Sequence, residues 1–281
     1  MDSIFDKEIY INIQYRVYEI MENNIKNKKV PNLEFETKEL GIIEVPTNEV
    51  LKNRKYTANI NEWLIEIEYF IGIIVEELLY LLSYEKIYYS DKKLSSYVIT
   101  SRERYFKLVI YDLYSIREKL AYLIMELFNR EIEINYEKLS FNRLLKKMNE
   151  DNLDNPEWIS EYEYTLIKKV LSENFKPDSY KYIFEEIRHS FTHRSNPGIG
   201  FIPLRTYEYK KVDEKILQIL KKGMNEEKDD YISLSLKPKE KQINSKMLIE
   251  DLLDMWGLFI KGFELLFKRI TLLNNEIIKF Y

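Results

Sequence analysis

An all-α antiparallel helical bundle is the fold class this sequence predicts, and three observations predict it. Glycine and proline number only 7 each in 281 residues, too few for the many tight turns of an all-β architecture. Hydrophobic residues make up 45% of the chain and aromatics 14%, which is ample material for a large core. Those apolar residues recur at spacings of three and four over long stretches, the period of helices packed along one face.

Residues 3–28 carry this spacing and predict a first helix. Residues 30–58 contain Pro31, Pro46 and extended-looking runs such as Leu40-Gly41-Ile42-Ile43, and predict irregular structure wrapped on the core. Asn61 is the expected cap of a helix to about Ser83, apolar on nearly all sides through Leu64, Ile67, Phe70, Ile71, Ile74, Leu78 and Leu81, hence central. A second long helix is expected after Ser101, with one broad stripe from Phe106 through Val109, Ile110, Leu113, Ile116 and Leu120 to Leu127. Two shorter helices follow. One starts near Ser140, and the other has Asn155 as cap and Pro156 in the first helical position.

Asp178 is the expected cap of the next helix, which Asn196-Pro197-Gly198 ends. An insertion at about 197–243 holds two candidate strands, at 206–209 and 231–236, before a last helix from Asn244 or Ser245. The expected organisation is thus an N-terminal helical and irregular extension (1–60) packed on a helical domain (61–281) that carries the insertion.

Cysteine is absent, which excludes disulfides, thiol nucleophiles and thiolate metal sites together. Met1-Asp2-Ser3-Ile4-Phe5-Asp6-Lys7 lacks the basic start and apolar run of a signal peptide. No apolar stretch approaches the roughly 18 residues of a membrane span. The expectation is a soluble cytoplasmic protein with no membrane partner. A net charge of −4 argues against a broad basic nucleic-acid surface but allows a local basic cleft.

The chemistry concentrates in Arg188-His189-Ser190-Phe191-Thr192-His193, which holds both histidines of the chain. On an ideal helix at about 100° per residue, with Arg188 at zero, Thr192 falls near 40°, Glu185 near 60°, His189 near 100° and His193 near 140°. Tyr180, Ile183, Phe184, Ile187 and Phe191 fall between about 220° and 320°. One face packs, and the other presents an arginine, two histidines, a hydroxyl and a carboxylate. RNA cleavage by the neighbouring 2′-OH needs a base, an acid and a cation for the charge gathering on phosphorus-bound oxygens. Histidine titrates near neutrality and a guanidinium matches that charge, so no metal or other cofactor is required.

This stretch resembles the Arg-x4–6-His signature of the HEPN superfamily, with four residues between Arg188 and His193 and a histidine, His189, in the polar slot after the arginine. The helical layout over residues 60–281 is similar too. The resemblance implies a helical bundle working as a homodimer, in which two motif copies line one cleft. It also implies a metal-independent endoribonuclease acting on RNA in antiviral defence or a toxin–antitoxin system, held by an antitoxin or regulatory protein. Arg188 and His193 would be catalytic, with His189 sharing proton transfer or orienting substrate. Glu185, Thr192, Arg194 and Asn196 would support them, Glu185 by positioning His189. HEPN toxins silenced by AMP transfer carry a tyrosine two residues after the motif histidine; Ser195 stands there instead, which argues against that regulation.

Other readings stay open. The same residues suit an ordinary solvated helix face, or a HEPN-like module that binds nucleotide or a partner without cleaving. Glu185, His189 and His193 form an i, i+4, i+8 ladder that could hold zinc, although no fourth ligand is evident. The segment from Arg194 to Lys222 has seven basic residues against three acidic, with Tyr207 and Tyr209 interleaved. It suits RNA contact or a plain solvated loop. Trp63, Trp158 and Trp256 lie on apolar stripes and read as packing residues.

Overall fold

The computed structural model describes residues 7–33, 50–91, 95–128, 138–150, 159–188, 205–211, 232–238 and 244–279, with backbone alone at 50–58, 205–211, 232–238 and 272–279. These residues form an all-α helical bundle with one two-stranded hairpin. Contacts cluster into two units, residues 1–188 with 249–281, and residues 189–248.

The first unit is built on a hairpin of two long helices, α2 (Val50–Ser90) and α3 (Ser96–Leu127). Tyr84 and Tyr97 meet at the turn end, then Tyr80 stacks on Tyr105, Glu66 pairs with Lys119, and Trp63 stacks on Tyr122. Position numbers fall on one helix as they rise on the other, so the pair is antiparallel. Asn61 does not cap α2 but lies inside it. No glycine or proline interrupts residues 47–71, so nothing in the chain stops the helical period there. For the same reason residues 50–58, expected to be irregular, are helical. Ile65 and Tyr69 remain exposed, so α2 is open on one side rather than surrounded.

The start of α3 differs from expectation in the same direction. Ser95 is its cap, accepting a hydrogen bond from the Tyr97 backbone N–H, whereas Ser101 is buried inside the helix. The N-terminal helix α1 (Lys7–Lys26) packs on α2. Arg16 forks both its Nη groups onto the Asp91 carboxylate at 2.9 and 2.7 Å, and Gln14 donates to the Tyr97 hydroxyl at 2.6 Å.

Ser140 caps α4 (Phe141–Asn149) as expected. The following helix, α5 (Glu161–Phe175), is capped by Ser160, which accepts from the Glu163 N–H. Ser160-Glu161-Tyr162-Glu163 is the Ser-x-x-Glu capping pattern. Asn155 and Pro156 lie outside the described residues, as does Trp158. Residues 178–188 then form the motif segment. It opens as a 3₁₀ turn (Asp178–Tyr180) whose cap position is Pro177, not Asp178, and continues into a π-helical turn (Ile183–Ile187).

The last helix, α6 (Ser245–Lys279), closes the bundle with an apolar face that includes Leu252, Met255, Phe259, Phe263, Leu266 and Ile270. Its Arg269 pairs with Glu163 of α5 at 2.9 Å, and Asn174 at the end of α5 donates to the Leu258 carbonyl at 3.1 Å. Trp256 is fully buried and its indole N–H donates to the Pro31 carbonyl at 2.8 Å, tying the segment after α1 to α6. Trp256→Phe deletes that donor and leaves a carbonyl without its partner. The expected loss is about 1–2 kcal/mol in urea unfolding, and an unchanged midpoint would remove this tie from the account.

In the second unit, β1 (Arg205–Lys211) and β2 (Ile232–Pro238) pair antiparallel, with Tyr207 opposite Leu236 and Tyr209 opposite Leu234. The two strands cover the predicted 206–209 and most of 231–236. Among the described residues, no helix is long and apolar enough to cross a membrane.

Candidate functional site

The site is built where the motif segment crosses α3. Ile183, Phe184 and Ile187 are buried, as the helical projection requires, while Glu185 and Glu186 are exposed. Local geometry departs from that projection. The Arg188 backbone N–H bonds to the Ile183 carbonyl, five residues back, instead of the α-helical four. A turn holding an extra residue advances each side chain by less than 100°, so Arg188 is rotated relative to Glu185 compared with an ideal helix. Single π turns of this kind recur at functional sites.

That rotation sets Arg188 on α3. Its guanidinium carbon lies 3.8 Å from the centre of the Tyr114 ring, and its Nε points back to the Phe184 carbonyl at 3.4 Å. The reverse contact is made from α3. Arg117, one turn beyond Tyr114, places its guanidinium 4.4 Å from the Phe184 ring, one turn before Arg188. The two elements thus exchange an arginine for an aromatic ring in each direction. Contacts of this type are worth roughly 0.5–2 kcal/mol each, the larger value when desolvated.

Arg117 is the residue sequence reasoning missed. It is 3% exposed and walled by Phe184, Phe141 at 5.1 Å and Tyr114 at 5.3 Å. Its Nε is buried without a hydrogen-bond partner. Burial pulls its pKa down, and the like charge of Arg188 adds to this, against Glu118, Tyr114 and Glu185. Neither carboxylate neutralises it at contact distance. Glu118 accepts from the Phe141 N–H at the start of α4, 3.1 Å away, and Glu185 pairs with Lys181 at 3.5 Å. Burial likewise raises the Tyr114 phenol, with Glu118 adding and both arginines opposing. The signal in the sequence was an arginine in register with Leu113, Ile116 and Leu120 on an otherwise apolar stripe.

Of the predicted site residues, Arg188 and Glu185 are described, and they do different things. Arg188 is anchored on the bundle, and Glu185 is a surface residue paired to Lys181. His189, Thr192, His193, Arg194 and Asn196 lie outside the described residues, and with them the Glu185–His189 contact and the zinc ladder. Among the described residues, no group of three or more acidic or histidine side chains could hold a metal ion.

A second polar cluster lies further along the α2–α3 hairpin. Glu77, 9% exposed, is hydrogen-bonded to Asp112 across the helix pair. Burial first, then the Asp112 charge, pushes the Glu77 carboxyl up to about 8, so it is protonated at neutral pH. Asp112 is raised as well, mainly by burial, while Glu77 as a donor and the Lys119 ammonium pull it down.

The class these observations define is an all-α helical bundle with a pair of arginines at the crossing of its motif segment and α3. No family model, curated protein or solved structure matches the chain.

Proposed function

We propose that the protein is a metal-independent endoribonuclease of the HEPN type, acting in bacterial defence or a toxin–antitoxin system. The anchoring of Arg188 supports this reading. A cation that must meet a developing charge acts best when its position is set before reaction, and Arg188 is held by the Tyr114 ring and by the Phe184 carbonyl. In this reading Arg188 binds the scissile phosphate. One histidine takes the proton of the 2′-OH as its oxygen attacks phosphorus, and the other gives a proton to the departing 5′-oxygen. The products are a 2′,3′-cyclic phosphate and a 5′-hydroxyl. His193 and His189 fill those roles, with Thr192, Arg194 and Asn196 in support. Two copies of the motif line one cleft in a homodimer.

Incubating labelled RNA with wild type and His193→Ala in the presence of EDTA tests the proposal. The expected result is cleavage that survives chelation, leaves 2′,3′-cyclic ends and falls by at least about 10²-fold in the variant. Cleavage lost to EDTA would point to the zinc ladder. No cleavage of any RNA would favour the second reading, a module that holds a nucleotide or partner through the same anchored arginine without cutting.

A further inference from the structure

The helices α4 and α5 run antiparallel. The Phe141 ring at the start of α4 meets Phe175 at the end of α5, and the Met148 carbonyl near the end of α4 accepts from the Tyr164 hydroxyl near the start of α5. An open cavity of about 680 Å³ lies between these helices and the first residue of the motif segment, within the roughly 300–1,000 Å³ of small-molecule sites. None of its lining residues belongs to the Arg188 site. On α4 the lining falls at i, i+3, i+4 and i+7, one helix face made of Asn142, Leu145, Lys146 and Asn149. Ser172 and Lys176, one turn apart on α5, line it from the other side. The antiparallel run puts Asn142 at the Lys176 end and Asn149 at the far end, about 10.5 Å along the helix.

The chemistry of this lining limits what can fill it. Lys146 and Lys176 are balanced by Glu150 and Asp178, so the lining carries no net charge and does not suit a polyphosphate. Glu150 holds Lys146 only loosely, at 3.6 Å, and Lys176 has no ion pair among the described residues. Neither carboxamide has a hydrogen-bond partner there, so each offers two N–H donors and a carbonyl acceptor. Ser172 donates its proton to the Lys169 carbonyl at 3.0 Å, which leaves its oxygen to accept. Leu145, 2% exposed, gives the cavity an apolar floor. The complementary ligand is a neutral flat ring with donors and acceptors on its edge, a hydroxyl donor beside it, and a single anionic group at one end.

We propose that the cavity between α4 and α5 binds one nucleotide carrying a single phosphate. The base lies over Leu145 with its edge on the Asn149 carboxamide, a ribose hydroxyl donates to Ser172, and the phosphate meets Lys176, with Asn142 donating beside it. Asp178 at that end limits the charge it accepts to one phosphate. A carboxamide pairs with N6 and N7 of adenine, so adenine is the expected base. The site goes beyond the reading of the motif as a ribonuclease and does not depend on it. A free mononucleotide and one residue of an RNA strand offer the same chemistry, and the test separates them.

Isothermal titration calorimetry of the full chain, with AMP and adenosine as probes, tests this. Lys176→Met is expected to weaken AMP about tenfold, the scale of one lost charge-assisted hydrogen bond, and to leave adenosine unchanged. Asn149→Ala should weaken both about tenfold, because both carry the base. Lys107→Met, at an exposed position of α3, should change neither. ADP and ATP should bind no more tightly than AMP. Asn149 and Lys176 are exposed, so these variants are expected to fold as wild type does. No binding of AMP or adenosine at millimolar concentration, equal binding of UMP, or undiminished affinity in Asn149→Ala overturns the site. An equal loss of adenosine and AMP in Lys176→Met overturns the placement of the phosphate. An adenylate pentamer, titrated into His193→Ala so that it is not cut, decides the source. Binding tighter than AMP that Asn149→Ala weakens identifies one residue of an RNA strand, and binding no tighter identifies the free mononucleotide. Failure of the ribonuclease reading shows as absent cleavage, and failure of this site shows as absent binding.

Discussion

Phe175→Ala is expected to cost about 3–5 kcal/mol of stability, the range for deleting a buried aromatic ring. Phe175 is fully buried at the end of α5, with the rings of Phe263 at 4.8 Å, Phe259 at 5.0 Å and Phe141 at 6.3 Å around it. It joins α4, α5 and α6, so its loss opens a cavity that three elements must share. The close approach behind it depends on Gly262 of α6. A Cβ at that position would stand 2.5 Å from the Phe175 ring and 2.8 Å from the Asn174 Cβ. Gly262→Ala alone therefore overpacks the contact, at about 1–3 kcal/mol. In the Phe175→Ala background the ring is gone and only the Asn174 contact remains, so Gly262→Ala should cost less than half as much. Urea unfolding of the four proteins gives the coupling directly. Equal costs in both backgrounds would show that the ring does not set the spacing of α5 and α6.

Glu77→Gln is expected to raise the melting temperature above neutral pH and to leave it nearly unchanged in acid. The sign follows from the shift. Glu77 titrates at 4.5 when unfolded and at about 8 in the fold. From pH 4.5 to 8 the unfolded chain releases a proton that the folded chain retains, so stability falls as pH rises across that window. Below it both states are protonated. Above it the fold carries a carboxylate beside Asp112 in a poorly solvated place. Glutamine keeps an N–H donor for Asp112 and never charges. Allowing for solvent screening of a partly accessible pair, the gain at pH 9 should be on the order of 5 °C. Melting curves of wild type and variant from pH 4 to 9 check this, and parallel pH profiles would mean that Glu77 does not titrate in the window.

Some of this was readable in the chain and some was not, for identifiable reasons. The helices were legible because their apolar positions repeat at helical spacing, and Ser140 was legible as a cap because no competing serine precedes it. Helix starts were misplaced at Asn61 and Ser101, where a good capping residue lies within a longer helix. A capping side chain is a local signal, and the packing of α2 on α3 overrides it. Ser160 was missed although its Ser-x-x-Glu pattern is intact, because Asn155-Pro156 offered a plausible start upstream. For the candidate site, Arg188 was legible as a chemical group, but its orientation was not. A projection at a constant 100° per residue cannot anticipate a π turn, and that turn sets Arg188 against Tyr114.

The arginine at position 188 and the two histidines near it are facts of the primary structure, as is the all-helical architecture that scarce glycine, scarce proline and a repeating apolar stripe impose. These depend on residue type and spacing along one chain. The approach of Arg188 and Arg117, 71 positions apart, to the same Tyr114 ring depends on where α3 passes the motif segment. So does the difference between buried Arg102, which pairs with Glu85 of α2, and buried Arg117, with which no described carboxylate pairs. Whether a buried charge has a partner is a property of three-dimensional neighbours, and only the tertiary structure decided it.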